Sequence, residues 1–252
     1  MKKLVMLGMS LLMAVSLSAC GSNGNDDKTL KILTNSGYKP YEMVNKKGEL
    51  YGFDIDVANK AAEIAGYELE WVDMDFDGII DSLKTGKGDL AIAGMTPSAD
   101  RAKSVDFSEI YYDTADDTKN MILTLKDGTI NATEDIKGKK VGLQMGTAQE
   151  STAKEIQEDY DLKLDARKSY SDLVQEMKNN NVDFMIVESV VAKELTADNA
   201  DLKYFPLGVG TDPIGNAMCF KKDSKLTKKF NKAIKQMKED GTLDKLIKKY
   251  FE

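Results

Sequence analysis

Two stretches far apart in this sequence repeat one pattern, and that repetition constrains the fold more than anything else in the chain. Residues 82–96 read SLKTGKGDLAIAGMT and residues 176–189 read EMKNNNVDFMIVES. Each runs from the end of a helix through a polar turn to an aspartate, then an apolar run, then a polar residue. An apolar run this short between turn signals reads as a buried strand. The Asn179-Asn180-Asn181 run is a helix stop rather than a low-complexity tract. The echo places Thr96 and Glu188 at the carboxyl ends of comparable strands in two halves of the chain. In open α/β sheets, ligands gather at those ends. If the halves face one another, Thr96 and Arg101 look across a cleft at Glu188.

Around these stretches, short apolar strands alternate with amphipathic helices. Strands are expected at 30–33, 69–72, 90–93, 121–125, 140–143, 184–187, 202–205 and 218–220. Helices are expected at 54–65, with Asp54 as its cap and Gly66 as its stop, from Phe76 to Gly86, and at 149–159, 171–179, 226–240 and 243–250. This is the pattern of an α/β protein with parallel sheets. The chain of 252 residues is long enough for two modest lobes, each with its own core.

The chain opens as a signal peptide, residues 1–19: Lys2-Lys3 and then an apolar run from Leu4 to Leu17, too short for a comfortable membrane span. Small residues then precede Cys20, which resembles the bacterial lipobox, where the thiol is acylated and the cysteine becomes the new N-terminus. Two acyl chains supply the two signals that stable anchoring needs. Residues 20–29 read as the lipidated Cys20 and a flexible tether. The second cysteine, Cys219, lies in an apolar run and reads as a small buried hydrophobe. The chain has no histidine, which excludes a His-based metal site and a Ser-His nucleophile. Its formal charge of −7 makes it a poor nucleic-acid binder. No cofactor and no metal are expected.

Arg101 is one of two arginines among 35 basic residues. Where lysine supplies nearly all the positive charge, an arginine points to a need for the planar fork that grips a carboxylate through two parallel hydrogen bonds. Thr96 reads as a helix N-cap, Pro97 as the first helical residue, and Arg101 lies on the turn that follows. A second set of donors is expected where the strand 140–143 ends in the turn Gln144-Met145-Gly146-Thr147-Ala148 and a helix begins. Taken alone, such a turn is ordinary strand-to-helix punctuation, and Glu188 alone reads as a solvated surface acid.

Gly52-Phe53-Asp54-Ile55-Asp56, the stretch 88–112 and the ordered series of elements after Leu30 resemble the amino-acid-binding proteins of ABC importers, a family of extracellular solute-binding proteins. The resemblance implies the type II periplasmic-binding-protein fold: two lobes, each a mainly parallel sheet flanked by helices, joined by two hinge crossovers. Lobe one is then 30–111 plus 215–252, and lobe two 116–210, with crossovers near 112–115 and 209–213. It implies that Tyr38, in Tyr38-Lys39-Pro40-Tyr41, and Phe76 stack on the ligand. The ligand carboxylate falls to Thr96, Arg101 and Thr147, and the ammonium to an acid that is usually Asp and here is Glu188. Gly94 and Gln144 complete the expected ligand-binding set. Asp183 is the competing acid, at the wrong end of its strand.

The function so implied is capture of an L-amino acid between two lobes. Delivery follows, to a membrane permease and its ATPase, by a non-enzymatic, monomeric lipoprotein on the outer face of the cell membrane. Binders of cationic amino acids in the family often carry an acid near the end of the first strand. Asn35 stands there, Gln144 is also neutral, and Arg167 does not look placed for an anionic ligand, so a polar uncharged amino acid is expected. Met95 and Met145 flank the site, and thioethers tolerate varied ligands. Two rivals remain: a cyclohexadienyl or arogenate dehydratase on the same fold with Glu188 as general acid, and a sensor presenting its ligand to a signalling partner.

Overall fold

The computed structural model describes residues 28–113 and 119–252. The leader, Cys20, most of the tether and part of the first crossover lie outside the described residues. In chain order the elements are β1 (Thr29–Thr34), β2 (Met43–Val44), β3 (Leu50–Tyr51), α1 (Phe53–Ala65), β4 (Glu68–Asp73), α2 (Ile79–Lys84), β5 (Leu90–Ala91), α3 (Ala99–Ala102), β6 (Val105–Phe107) and β7 (Asn120–Leu125). There follow β8 (Lys140–Gln144), α4 (Ala148–Glu155), α5 (Gln157–Tyr160), β9 (Lys163–Arg167), α6 (Tyr170–Lys178), β10 (Phe184–Glu188), α7 (Ser189–Asp198), β11 (Leu202–Pro206), β12 (Cys219–Lys221), α8 (Lys225–Glu239) and α9 (Thr242–Phe251).

Two five-stranded sheets result, in the orders β4-β1-β5-β12-β6 and β9-β8-β10-β7-β11. Written this way the sheets correspond strand for strand, and the echoing apolar runs become β5 and β10. In each sheet four strands run one way and one is reversed: β12 in the first and β7 in the second. Each reversed strand is the first to form after the chain has crossed between lobes, so it enters its sheet from the hinge side. The two crossovers pair with each other where Tyr112 meets Asn216.

The helices form where apolar spacing and caps agree. On α8, Phe230, Ala233, Ile234 and Met237 are buried at helical spacing, and the Ser224 hydroxyl accepts the Leu226 N–H at its start. α1 ends at Gly66 in the left-handed region, as its sequence requires. α1, α8 and α9 cover one face of the first sheet, and α2 with Leu83 and Ile79 covers the other. α6 and α7 cover one face of the second sheet, and Ala153 and Ile156 pack on the other. Tyr112 stacks on Phe251 at 4.3 Å between ring centroids, and Phe251 also meets Phe53 and Tyr41, which pins the last helix over the hinge. Phe53 is fully buried; burying such a side chain contributes about 2–3 kcal/mol.

The structure corrects several local readings. Thr96 is not a helix cap; Ser98 is, accepting the Arg101 N–H. Asp54 lies inside the first turn of α1, capped at Gly52, and its carboxylate turns inward instead. The helix expected at 149–159 breaks at Ile156 into α4 and α5. The hairpin β2–β3, the strands β6 and β9 and the helix α7 are not anticipated from the sequence: β2, β3 and β6 span two or three residues each, β9 is polar, and α7 follows β10 with no turn between them. β9 is Lys-Leu-Asp-Ala-Arg, a polar edge strand that pairs on one side only.

Candidate functional site

Asn35, Tyr38, Phe76, Gly94, Thr96 and Arg101 of the first lobe meet Gln144, Thr147, Gln149, Tyr170 and Glu188 of the second around one narrow cavity. Its open space is about 20 Å³, room for a water molecule but not for an amino acid. All eight residues expected from the sequence line it. Gln149 and Tyr170 line it as well and were missed, because a Gln in a first helical turn and a Tyr after a Ser cap carry no signal of their own.

Arg101 stands on the short helix α3, carried there by the loop after β5. Its guanidinium donates to the Thr96 carbonyl at 2.6 Å and, across the cleft, to the Gly146 carbonyl at 2.7 Å. The fork lies over the Phe76 ring, 5.5 Å from its centroid. Among the described residues it pairs with no carboxylate, and burial pulls its pKa below the ordinary value. Gly146 has φ 77°, and a Cβ there would come within 3.1 Å of the Asp77 backbone in the other lobe. Glycine is required both by the turn and by how closely the lobes approach.

Thr147 caps α4: its hydroxyl accepts the Glu150 N–H and donates to the Gln144 carbonyl. Helix geometry leaves the first N–H groups of α4, on Ala148 and Gln149, without intrahelical partners. The Gly146 N–H is not among the free donors, since the Glu150 carboxylate takes it at 2.7 Å. The Gln144 amide donates to Asn35 Oδ1 at 2.9 Å and to the Lys168 carbonyl, so it bridges the lobes too.

Glu188 contradicts its reading as a solvated acid. It ends β10, a central strand, and is 2 % exposed. Burial pushes its carboxyl up to about 8, against the pull of hydrogen bonds from Tyr38 and Gln149. Its Oε2 has no hydrogen-bond partner among the described residues. Tyr38 is held between Tyr41 and Tyr170, with centroids 5.1 and 5.2 Å away. Gly94, at φ 54°, lies so close that a Cβ would come within 2.8 Å of the Tyr38 ring. Asp183 is structural: it accepts the Lys140 N–H at the start of its strand. Arg167 is on β9, paired with Asp165.

At the rim, Lys168 pairs with Asp75, and Lys39 with Glu194 at 2.9 Å and Asp198 at 3.3 Å, each pair joining one lobe to the other. Beyond Arg101 a wider groove opens between Pro97 on one side and Thr211 and Pro213 on the other. The Arg101–Gly146 contact separates it from the inner cavity.

The match to a known family is decisive. Residues 30–252 match the bacterial extracellular solute-binding proteins, family 3. The chain belongs to that family. It is 42 % identical over 257 residues to an arginine-binding extracellular protein of Bacillus subtilis (strain 168), with 100 % of this chain and 98 % of the relative covered. Among solved structures, an ancestral arginine-binding protein bound to arginine superposes with a TM-score of 0.81 at 36 % identity, covering 89 % of this chain and 99 % of the other. An ancestral amino-acid-binding protein, a precursor of cyclohexadienyl dehydratase, gives 0.78 at 35 % identity over 90 % of this chain and 97 % of the other. Thus this solute-binding protein has the two-lobed periplasmic-binding-protein fold, and its relatives bind amino acids.

Proposed function

We infer that this protein is the extracytoplasmic binding component of an amino-acid ABC importer, closing its two lobes on a free L-amino acid. One observation carries the reading. Among the described residues, Arg101 has no carboxylate partner and Glu188 has an unpartnered buried oxygen, and the two face the same cavity from different lobes. An α-amino acid brings both missing partners at a fixed separation.

In this mechanism the α-carboxylate displaces Arg101 from its carbonyl contacts and takes the guanidinium fork. The Thr96 hydroxyl and the first N–H groups of α4 complete the clamp, and the Thr147 hydroxyl joins it by giving up its bond to the Gln144 carbonyl. The ammonium donates to Glu188, and the side chain runs along Phe76 toward Asn35 and Gln144, reaching the Tyr38 face only where Tyr170 gives way. An aromatic face that already accepts the Arg101 guanidinium suits a second one, and the two amide side chains offer carbonyl acceptors for its N–H groups. We therefore place L-arginine first among ligands, in line with the relatives' ligand and ahead of the polar uncharged amino acids expected from Asn35. The narrow cavity means that the lobes separate to admit the ligand, hinging at the crossovers near 112–115 and 209–213. Ligand that touches both lobes stabilises the closed form by its differential affinity. Residues 30–111 with 215–252 move against 116–210. A monomer anchored through acylated Cys20 and a short tether then presents the closed form to a permease whose ATPase drives uptake.

A thermal-shift screen against the amino acids, on protein freed of co-purified ligand, tests this. Binding to the folded state alone raises the midpoint by mass action. A rise with L-arginine or a few L-amino acids supports the reading, and no rise with any of them sinks it. Glu188 favours one second reading. A buried carboxyl that keeps its proton at neutral pH is the acid a dehydratase needs. Incubation with arogenate or prephenate, read by product absorbance, decides between the two.

A further inference from the structure

Behind the cavity lies a second set of buried acids that ligand binding leaves unused. Asp54 and Glu42 are both fully buried in the first lobe. No donor reaches either Glu42 oxygen. Asp54, by contrast, is fully engaged. Its carboxylate accepts the Gly94 N–H at 2.7 Å and the Tyr111 hydroxyl at 2.8 Å. Burial, with Asp54 nearby, pushes the Glu42 carboxyl well above the ordinary carboxylate range; burial pushes Asp54 up too, against the pull of the Gly94 N–H and the Tyr111 hydroxyl.

The bonds around Asp54 close a ring. Asp54 holds the Gly94 N–H, and the Gly94 carbonyl accepts the Asn216 side-chain amide at 2.6 Å. The Asn216 carbonyl accepts the Tyr111 N–H at 2.9 Å, and the Tyr111 hydroxyl returns to Asp54. Tyr111 leads into the first crossover and Asn216 leaves the second. Gly94 is in the loop that carries Thr96 and Arg101. Glu42 pairs through its backbone with Tyr38, the aromatic wall of the cavity.

We propose that Asp54 is a positioning residue. Through the Gly94 N–H and the Tyr111 hydroxyl it ties the Gly94 loop to Tyr111 and Asn216, the residues that flank the two crossovers, so that the carboxylate clamp and the hinge move as one body. Asp54 touches no ligand and acts through Gly94 and Tyr111. Its effect on affinity rests on the amino-acid-binding reading above; the link between loop and hinge does not. One negative charge on the pair suits the N-terminal turn of α1, where the helix dipole favours an anion. The titratable groups facing the pair are Tyr41 and Tyr111, with Glu188 and Asp73 further off, all acidic. Among the described residues, no lysine or arginine acts on either carboxyl to offset a second charge.

Amide hydrogen exchange and L-arginine calorimetry on the same protein test this with Asp54→Asn, which keeps the shape and loses the charge. Exchange at Gly94 is expected to rise at least tenfold and at Asn216 severalfold, while the Kd for L-arginine rises about tenfold. Tyr111→Phe deletes one hydroxyl and gives the same signs with smaller effects, which keeps the test open if the first variant does not fold. Glu42→Gln adds a readout that simple packing does not move. A raised carboxyl pKa stabilises the fold fully at acid pH, and that contribution is lost as pH rises toward the folded value. The variant is therefore expected to gain more in thermal midpoint at pH 8 than at pH 5. Unchanged exchange at Gly94 in Asp54→Asn overturns the proposal. So does a rise at Gly94 with neither Asn216 nor affinity affected. If both amides respond while the wild type takes up no amino acid, the ring stands and the amino-acid reading alone fails.

Discussion

The two ends of the cavity are built on opposite principles. Arg101 stands on a one-turn helix near solvent, and its fork is held only by two carbonyls, one from each lobe. Glu188 sits at the end of a central strand under a layer of tyrosines, so deep that its charge is suppressed. The first end is half-buried yet charged, and on the proposed reading its carbonyl contacts are exchanged for a ligand carboxylate. The second is neutral until a cation arrives. On the proposed reading, the ligand carboxylate goes to Arg101 and its ammonium ionises Glu188, so the two ends of one small site answer to different charges.

The largest effect expected from breaking this contrast is at the charged end. Arg101→Ala removes the clamp and is expected to weaken L-arginine binding about a hundredfold or more, since truncating one partner of a buried charge pair costs about 2–5 kcal/mol. Calorimetry measures it, and the thermal midpoint without ligand should hardly move. At the buried end, Glu188→Gln is expected to weaken binding about tenfold to thirtyfold, the scale of a charge-assisted hydrogen bond. The same variant removes a carboxyl whose folded pKa is raised. Its stabilising contribution is full at acid pH and is lost as pH climbs through about 8, so the variant should be the more stable protein at pH 8.

The contrast also has a pH signature. If the ammonium ionises Glu188, binding releases a proton below about pH 8, and affinity climbs by up to tenfold per pH unit from pH 6 toward 8 before levelling off. Titrations in buffers of different ionisation enthalpy count that proton. Glu188→Gln should flatten the profile, whereas Arg101→Lys should leave its slope intact. Gly146→Ala is milder. Its Cβ meets the Asp77 backbone across the cleft, so the variant should close less completely and bind severalfold more weakly, with less ligand-dependent compaction in solution scattering. The smallest effect belongs to the rim pair Lys168–Asp75. Lys168→Ala is expected to change affinity less than about threefold and to reduce its salt dependence, as exposed pairs contribute about 0–1 kcal/mol.

The same contrast decides what was legible in the sequence. Arg101 stood out because an arginine is rare in this lysine-rich chain and lies after a strand whose echo recurs in the other half. The echo also gave the two corresponding sheets. The echo put Glu188 at a strand end facing the cleft, but its role as an ammonium partner came only through family resemblance. Its burial comes from the position of β10 between β7 and β8 and from Tyr38 and Tyr170, which approach from sequence-distant segments. Asp54 was read as a helix cap because an acid at a helix start usually is one. Its inward turn depends on Gly94 and Tyr111, 40 and 57 residues away. Long-range hydrogen bonds of this kind leave no periodicity behind them.

The most direct test of the two-ended site alters the ligand rather than the protein. Calorimetry at pH 8 would compare L-arginine with agmatine, which is arginine without its carboxylate, and with 5-guanidinovalerate, which lacks the α-amine. Both analogues should bind far more weakly than L-arginine, agmatine at least a hundredfold; L-arginine and agmatine, which keep the ammonium, should release a proton from Glu188, and 5-guanidinovalerate should not. Agmatine binding as tightly as L-arginine would contradict the account, because the guanidinium subsite would then hold the ligand without help from Arg101.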